Sequence, residues 1–236
     1  MHDVHPLDRP AWSALTSRQK SLARGDSRAW RFDPDYALFA ATADRSPESL
    51  AALAALAPDE GTIGLVEPDA PPAPPDLVIV SSALCDQMVA DTVAEPTADF
   101  AIEPLGDGDA AEMLALATLT KPGPFFTRTH RLGDFVGVRI DGRLAAMAGE
   151  RMKVDGFTEV SGVCTHPDHR GLGLAAALMA HVARAIVARG ETPFLHSYSD
   201  NHAANALYGR MGFRLRRKLV FTQLARPAFP NLHTGL

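Results

Sequence analysis

The sequence has few of the features that mark secreted, disulfide-stabilised or membrane proteins. Its 236 residues include 2 cysteines, Cys85 and Cys164, too few for a disulfide framework. No apolar run approaches the ~20 residues that cross a bilayer, and the first residues lack the basic and apolar regions of a secretory signal. We therefore expect a reduced, cytoplasmic protein without a membrane partner.

Positive charge is scarce in the first part of the chain. Residues 1–100 carry 7 Lys and Arg against 16 Asp and Glu, a net charge of −9, whereas residues 101–236 carry 16 against 12, a net charge of +4. The balance argues against a nucleic-acid partner for the first part and suits the second part to a small polyanion. Solvated faces of different composition would give the same numbers. The 46% of hydrophobic residues favours a packed core over disorder.

Composition also suggests a division of the chain. Five of the eight residues 68–75 are proline, which predicts a stiff loop because proline fits neither a helix interior nor a central strand. A second break at residues 93–98 predicts two domains. Residues 1–95 would form an accessory mixed α/β domain, with a helix at 11–22, short strands at 29–32 and 37–40, and a helix that Ser46 caps and that ends near Leu56. We find no set of catalytic residues in this part. Residues 96–236 would form a catalytic domain.

The second part of the chain gives the clearer signals of secondary structure. Asp141-Gly142 and Asp155-Gly156 are hairpin turn signals, so residues 134–165 predict a three-stranded antiparallel meander. An apolar stripe at three- and four-residue steps predicts a helix from Gly171 to about Arg189. A strand at 193–197, a helix at 203–211 and one or two strands within 213–224 follow.

The segment between the third strand and this helix has the residue pattern of an anion-binding site. A turn and two glycines, Gly171 and Gly173, open the helix. Amides at a helix start lack internal partners, and glycines let them approach an anion, so the segment is suited to a pyrophosphate. The alternative is a tight helix start that binds nothing. Gly171 to Ala176 also fits the dinucleotide fingerprint G-x-G-x-x-A, but the residues between strand and glycines and the antiparallel strands before them argue against it.

These residues resemble a known family. Arg170-Gly171-Leu172-Gly173-Leu174-Ala175 fits the R/Q-x-x-G-x-G/A signature of the GNAT superfamily of N-acyltransferases. The stretch from Asn201 to Tyr208, followed by Met211-Gly212-Phe213, is similar to the family's second motif. The resemblance covers about residues 100–225. It also suggests that residues 1–95 are either a degenerate GNAT-like half or an accessory domain.

The resemblance implies an α/β (α+β) fold with a mixed, mostly antiparallel sheet. That sheet would be flanked by helices and splayed between the strands that end at Thr165 and Ser197. Acetyl-CoA, as co-substrate, would lie in the opening, with no metal required. The implied acetyl-CoA-binding residues are Val163, Cys164, Thr165, Arg170, Gly171, Leu172, Gly173, Leu174, Ala175, Asn201 and Asn205. The implied reaction is direct acetyl transfer to a primary amine of a small molecule or peptide. A CoA-binding sensor or interaction module without catalysis is the alternative.

Two side chains are candidates for proton transfer. Tyr208 is the candidate general acid toward the leaving thiolate, although its reference pKa near 10 exceeds the ~8.5 of a thiol. Its alternative role is packing against the sheet. Glu159 is the candidate base, because strand alternation places it on one face with Ser161 and Val163, and burial would raise its pKa toward neutrality. Its alternative role is a solvated strand carboxylate, and water or a nearby histidine is the other possible base.

Variable loops are expected to form the acceptor pocket. The sequence points to residues 120–131 and to the segment after Arg217, with Phe125 and Phe126 favoured slightly as pocket lining over core packing. Cys164 has no partners for covalent catalysis, so a ternary complex is the simpler expectation. His166 and His169, three residues apart on a turn, do not make a metal site.

Overall fold

The computed structural model describes residues 5–95 and 100–227. The described part contains five helices and eleven strands. The helices are α1 (Pro10–Thr16), α2 (Pro47–Leu56), α3 (Ala110–Thr120), α4 (Leu174–Ala188) and α5 (His202–Arg210). The strands are β1 (Ala23–Gly25), β2 (Ala29–Phe32), β3 (Ala40–Thr42), β4 (Ile63–Glu67), β5 (Val78–Val89), β6 (Glu103–Leu105), β7 (Phe135–Ile140), β8 (Arg143–Val154), β9 (Phe157–Thr165), β10 (Thr192–Tyr198) and β11 (Arg214–Ala225).

Eight strands form one mixed sheet, in the order β4-β11-β5-β10-β9-β8-β7-β6. Its neighbours pair antiparallel except β9 and β10, which run parallel across the α4 crossover. The remaining strands, β1 to β3, form a separate small sheet. The expectation of a mixed, mostly antiparallel sheet flanked by helices is confirmed.

Two hairpins build the middle of this sheet, as the sequence predicts. At the first, Asp141 and Gly142 have φ values of 50° and 75°, the left-handed pair that a tight two-residue hairpin requires. At the second, Asp155 and Gly156 join β8 to β9. The meander is therefore specified locally, and it delivers the carboxyl end of β9 to the start of α4.

The sheet opens where β9 meets β10. The two strands pair at three positions only, from Thr192 opposite Phe157 to Phe194 opposite Glu159. Beyond these positions each strand continues with no further pairing between them in the described residues. The resulting V-shaped gap at the carboxyl ends of the strands confirms the predicted splay.

Strands from the first part of the chain complete the same sheet. β5 lies between β10 and β11, and β4 pairs with β11 at the sheet's edge. The division after residue 95 stays a prediction, and residues 96–99 lie outside the described residues. The observed pairing nevertheless places elements from both sides of that division in one sheet.

Several element bounds differ from the sequence expectations. α4 begins at Leu174, because Gly171 and Gly173 have φ values of 82° and 86° and cannot be helical. The helix expected from residue 11 to 22 ends at Thr16, and the first-part strand expected at 37–40 lies at Ala40–Thr42. The α2 expectation is confirmed: Ser46 caps it by accepting from the Ser49 amide at 3.3 Å.

The apolar core fills both sides of the sheet. The inner stripe of α4, including Leu178, Ala183 and Ile186, is fully buried against one face. Phe125 packs edge-on against Phe135 at 5.8 Å, and Phe126 packs on the cluster over the other face. The slight preference for these two phenylalanines as pocket lining is wrong. None of the described helices is long and apolar enough to cross a bilayer.

Candidate active site

A cleft of about 1550 Å³ lies in the opening between β9 and β10. The end of β9, the loop before α4 and the first turns of α4 form one wall, and α5 forms the other. Its lining includes the cationic side chains Lys121 and Arg170 and no carboxylate among the described residues. The cleft therefore suits an anionic ligand.

The start of α4 is an open amide cradle. A Cβ atom placed on Gly171 or Gly173 would meet no heavy atom within 4 Å, so their backbone faces open space. Among the described residues, the amides of residues 171–176 donate to no backbone carbonyl. Both glycines line the cleft together with Arg170, Leu174 and Ala175, whereas Leu172 is 54% exposed and lies outside it. These donors fit a diphosphate.

The end of β9 contributes Val163, Cys164 and Thr165 to the cleft. A β-bulge interrupts the pairing with β8 just before them, where Gly162 has a φ of 64°. The extra residue reverses the alternation, so Val163 packs beneath α4 together with Val160. The prediction that Val163 shares a face with Glu159 is wrong for this reason.

The two predicted asparagines have different positions. Asn201 caps α5, its side chain accepting from the Ala204 amide at 3.3 Å, and lines the cleft. Asn205 is not part of the lining and donates its side-chain amide to the Tyr198 carbonyl at 3.1 Å. Asn205 therefore ties α5 to the end of β10.

A second cavity of about 640 Å³ adjoins the cleft on the opposite face of the sheet. Phe39, Val66 and Phe221 supply apolar walls, and Arg151 and His196 supply polar groups. Pro122, Gly123, Tyr198, Asn201 and Tyr208 line both spaces. The two cavities therefore meet at the fork of the sheet. The loop at 122–124 and Phe221 fall within the two segments expected to shape an acceptor pocket.

Tyr208 lies at this meeting point. Its half-buried ring packs against Phe213 at 6.5 Å, and burial raises the pKa of its hydroxyl. The phenol therefore stays protonated at neutral pH and can donate a hydrogen bond toward either cavity. Tyr198, which sequence reasoning missed, borders both cavities as well.

Glu159 belongs to a buried network and does not line either cavity. Its carboxylate accepts from Arg151 Nε at 2.8 Å, Arg151 Nη2 at 2.7 Å and His196 Nδ1 at 2.7 Å. Burial alone would raise the pKa of Glu159, but the charge and hydrogen bonds of Arg151 and the bond from His196 outweigh it and lower the pKa to about 2. The predicted upward pKa shift is wrong, because it omitted the ion pair.

Cys164 is not suited to act as a nucleophile. Its side chain is buried, and burial raises the pKa of the thiol to about 11, so it stays protonated. In the described residues, no group of three or more His, Cys, Asp or Glu side chains is arranged to hold a metal ion.

Sequence reasoning missed Arg151, His196 and the apolar wall of the second cavity. The Arg151–Glu159 pair had a local signal, since opposite charges on the two arms of a predicted hairpin tend to face each other. Phe39 and Val66 had none, because they reach the cavity through long-range packing of the first part of the chain.

Comparisons with known proteins agree on the family to which the chain is similar. The family model described as FR47-like protein matches residues 135–222. A crystal structure of a GNAT-family protein from Novosphingobium aromaticivorans is 46% identical, with a TM-score of 0.89, over 95% of this chain and 100% of that one. No curated protein matches the chain.

More distant structures share the fold. A GCN5-related N-acetyltransferase from Kribbella flavida is 20% identical with a TM-score of 0.59, over 92% of this chain and 93% of that one. A GCN5-related N-acetyltransferase-like protein from Streptococcus suis is 16% identical with a TM-score of 0.54, over 85% and 82%. Their coverage extends the fold similarity well beyond the FR47-like region.

Proposed function

Since the chain belongs to the GNAT family of acetyltransferases, we propose that it moves the acetyl group of acetyl-CoA to a primary amine of a small molecule or peptide. The supporting observation is the meeting of two cavities at the fork of the sheet, beside Tyr198 and Tyr208. One cavity offers amide donors for a diphosphate, and the other offers a separate space for a second substrate.

The proposed reaction is direct transfer in a ternary complex. The amine nitrogen forms a bond to the thioester carbonyl carbon, and the carbon–sulfur bond breaks. One proton leaves the amine and one reaches the departing sulfur, giving an amide and the free thiol of CoA. No covalent enzyme intermediate is needed, in agreement with the protonated, buried Cys164.

We assign CoA binding to the cleft. Arg170, Gly171, Gly173, Leu174 and Ala175 would hold the diphosphate, chiefly through backbone amides. Leu172 would contribute only its backbone amide, because its side chain is exposed outside the cleft. The end of β9, at Val163, Cys164 and Thr165, would pair with the extended arm of the molecule. The bulge at Gly162 frees backbone from the β8 ladder, which supports the N–H groups near Cys164 as donors to the carbonyl oxygen. Asn201 lines the cleft and would contact the arm, and Asn205, which bonds the end of β10, would support this contact.

Tyr208 is the proposed general acid. It borders the point where the cavities meet, and burial raises its pKa, so the hydroxyl carries its proton when negative charge develops on sulfur. Its contribution would be a hydrogen bond or a proton at that atom.

Glu159 is better suited to a positioning role than to a base. A wholly buried carboxylate with a pKa of about 2 binds protons weakly, and three side-chain hydrogen bonds occupy its oxygens. We propose that Glu159 fixes Arg151 and His196 beneath the second cavity. The acceptor amine would then lose its proton to water before attack.

The first part of the chain would shape the acceptor site. Phe39, Val66 and Cys85 line the second cavity, so residues 1–95 contribute directly to it. The accessory part would therefore act in acceptor selection. A cytoplasmic location remains a prediction from cysteine usage.

Release of CoA thiol from acetyl-CoA, measured with a panel of primary amines, tests the proposal. Amine-dependent release with formation of the N-acetyl product is the expected result. Calorimetry with acetyl-CoA supplies the companion measurement. Tight binding without turnover on any amine would instead indicate a CoA-binding module, and the absence of binding would remove the cleft assignment as well.

A further inference from the structure

The chemistry of the second cavity limits what it can bind. Its apolar walls come from Phe39, Val66 and Phe221. Among the described residues its lining includes no carboxylate, and Arg151 is its one arginine or lysine. A ligand in this cavity therefore meets apolar surface and a guanidinium.

The negative charge nearest to Arg151 is turned away from the cavity. Glu159 is 0% exposed, and its oxygens accept from Arg151, from His196 and from the Met152 amide at 3.3 Å. These bonds and its full burial keep the carboxylate out of the cavity lining. An incoming ammonium group would find no anionic partner there.

His196 is not available to a ligand either. Its Nδ1 donates to Glu159, and its Nε2 lies 3.1 Å from Gln87 Nε2. Gln87 also donates to the Leu7 carbonyl at 2.8 Å and accepts from Arg216 at 2.8 Å, which fixes the orientation of its amide. Since Gln87 Nε2 can only donate, His196 Nε2 must accept, and both imidazole nitrogens are engaged.

Arg151 keeps donors free on the cavity side. Nε and Nη2 bind Glu159, whereas Nη1 makes no hydrogen bond within the described residues. The guanidinium lies over the Phe39 ring, with Cζ 4.7 Å from the centroid, and the side chain lines the cavity. Such a rigid, partly satisfied guanidinium is suited to bind a second carboxylate.

We propose that Arg151 binds a carboxylate that stands next to a small apolar group on one of the two co-substrates. An amine acceptor of the amino-acid type, or the acyl group of a CoA thioester that ends in a carboxylate, would present this chemistry. Polyamines and other multiply charged cationic amines are excluded as preferred substrates. The inference rests on the proposed transfer of an acyl group from a CoA thioester to an amine, and it specifies the substrate class.

The test compares matched substrates that differ in one carboxylate. The acceptor arm measures kcat/KM with acetyl-CoA for leucine against 3-methylbutylamine, with spermidine alongside. The acyl arm measures succinyl-CoA against butyryl-CoA with one fixed amine. We expect the carboxylate-bearing member to be favoured about tenfold or more in one of the two arms. The arm that shows this preference identifies the co-substrate.

A double variant, Arg151→Gln with Glu159→Gln, removes the guanidinium without leaving a buried charge unpaired. The ratio of kcat/KM for the carboxylate-bearing substrate to kcat/KM for its partner should fall at least tenfold in this variant. Comparing this ratio between variant and wild type cancels the difference in basicity between the two amines. The Kd of acetyl-CoA serves as the folding control, because Arg151 does not line the CoA cleft. If the variant does not fold, the wild-type ratios decide after each kcat/KM is corrected for the fraction of free amine at the assay pH.

Three results would overturn the inference. They are ratios within about threefold of unity in both arms, a preference for spermidine, and a strong preference that the double variant keeps. Each of these requires that some amine be acetylated, so the proposed function would survive. Absence of thiol release with every amine would refute the proposed function, and the substrate class with it.

Discussion

Arg151 and Glu159 lie on the two arms of one hairpin and join through two hydrogen bonds of 2.8 and 2.7 Å, with the Glu159 side chain fully buried. Glu159→Gln should lower the free energy of unfolding by about 3 kcal/mol at pH 7, because it leaves a buried guanidinium without its counter-charge. Urea unfolding measures this change. Glu60→Gln, at an exposed carboxylate, is the control and should be neutral.

The same pair predicts how stability depends on pH. The pKa of Glu159 falls from 4.5 to about 2 on folding. As the pH is lowered, Glu159 is therefore protonated in the unfolded state before it is protonated in the folded state. Its stabilising contribution is complete above about pH 4.5 and declines as the pH falls toward 2. The stability difference between wild type and Glu159→Gln should therefore shrink from pH 5 to pH 3. A difference that stays constant over this range would contradict the low pKa.

The pH dependence of activity in Glu159→Gln distinguishes a positioning role of Glu159 from a role as general base. We expect kcat/KM of the variant to keep the acidic limb of the wild-type pH profile, because the acceptor amine loses its proton to water. The measurement is thiol release between pH 6 and 10. Loss of that limb in the variant alone would return Glu159 to the role of general base.

Tyr208→Phe should lower kcat about 100-fold with little change in the Kd of acetyl-CoA, because a donor at the departing sulfur is lost. Tyr36→Phe is the matched control, since Tyr36 packs against the core and lines neither cavity. An unchanged kcat in Tyr208→Phe would leave the tyrosine with a packing role only.

Gly171→Ala should raise the Kd of acetyl-CoA at least tenfold. Its φ of 82° disfavours alanine by about 1–2 kcal/mol, and its new methyl group would enter the space assigned to the diphosphate. Gly190→Ala is the control, because Gly190 has a φ of 78° and open surroundings at the other end of α4. Equal Kd changes in both variants would show that backbone strain, and not the cradle, is responsible.

Residues 96–236 expressed alone should show no cooperative thermal unfolding. β5 pairs along β10 and β11 on its two sides, so its removal would leave a gap in the middle of the sheet. Circular dichroism during heating, with the full chain as reference, measures this. A folded fragment that still binds acetyl-CoA would support residues 96–236 as an independent domain.

Local signals in the sequence were sufficient for the hairpins, the glycine-rich turn and the α2 cap. Asp141-Gly142 forms its turn through backbone preferences of two residues, and Ser46 caps its helix three residues away. The GNAT resemblance rested on the same kind of short-range pattern. These features depend on neighbours in the chain, so they can be read without the fold.

The tertiary structure decided the rest. One bulge at Gly162 moved Val163 to the other face of the sheet, and the pairing of Glu159 with Arg151 and His196 reversed its expected pKa shift. The insertion of β5 between β10 and β11 joined both parts of the chain in one sheet. The alternation of residues along a strand does not show where one strand has an extra residue relative to its neighbour. The charge state of a buried group depends on partners that only the folded chain brings within hydrogen-bond distance.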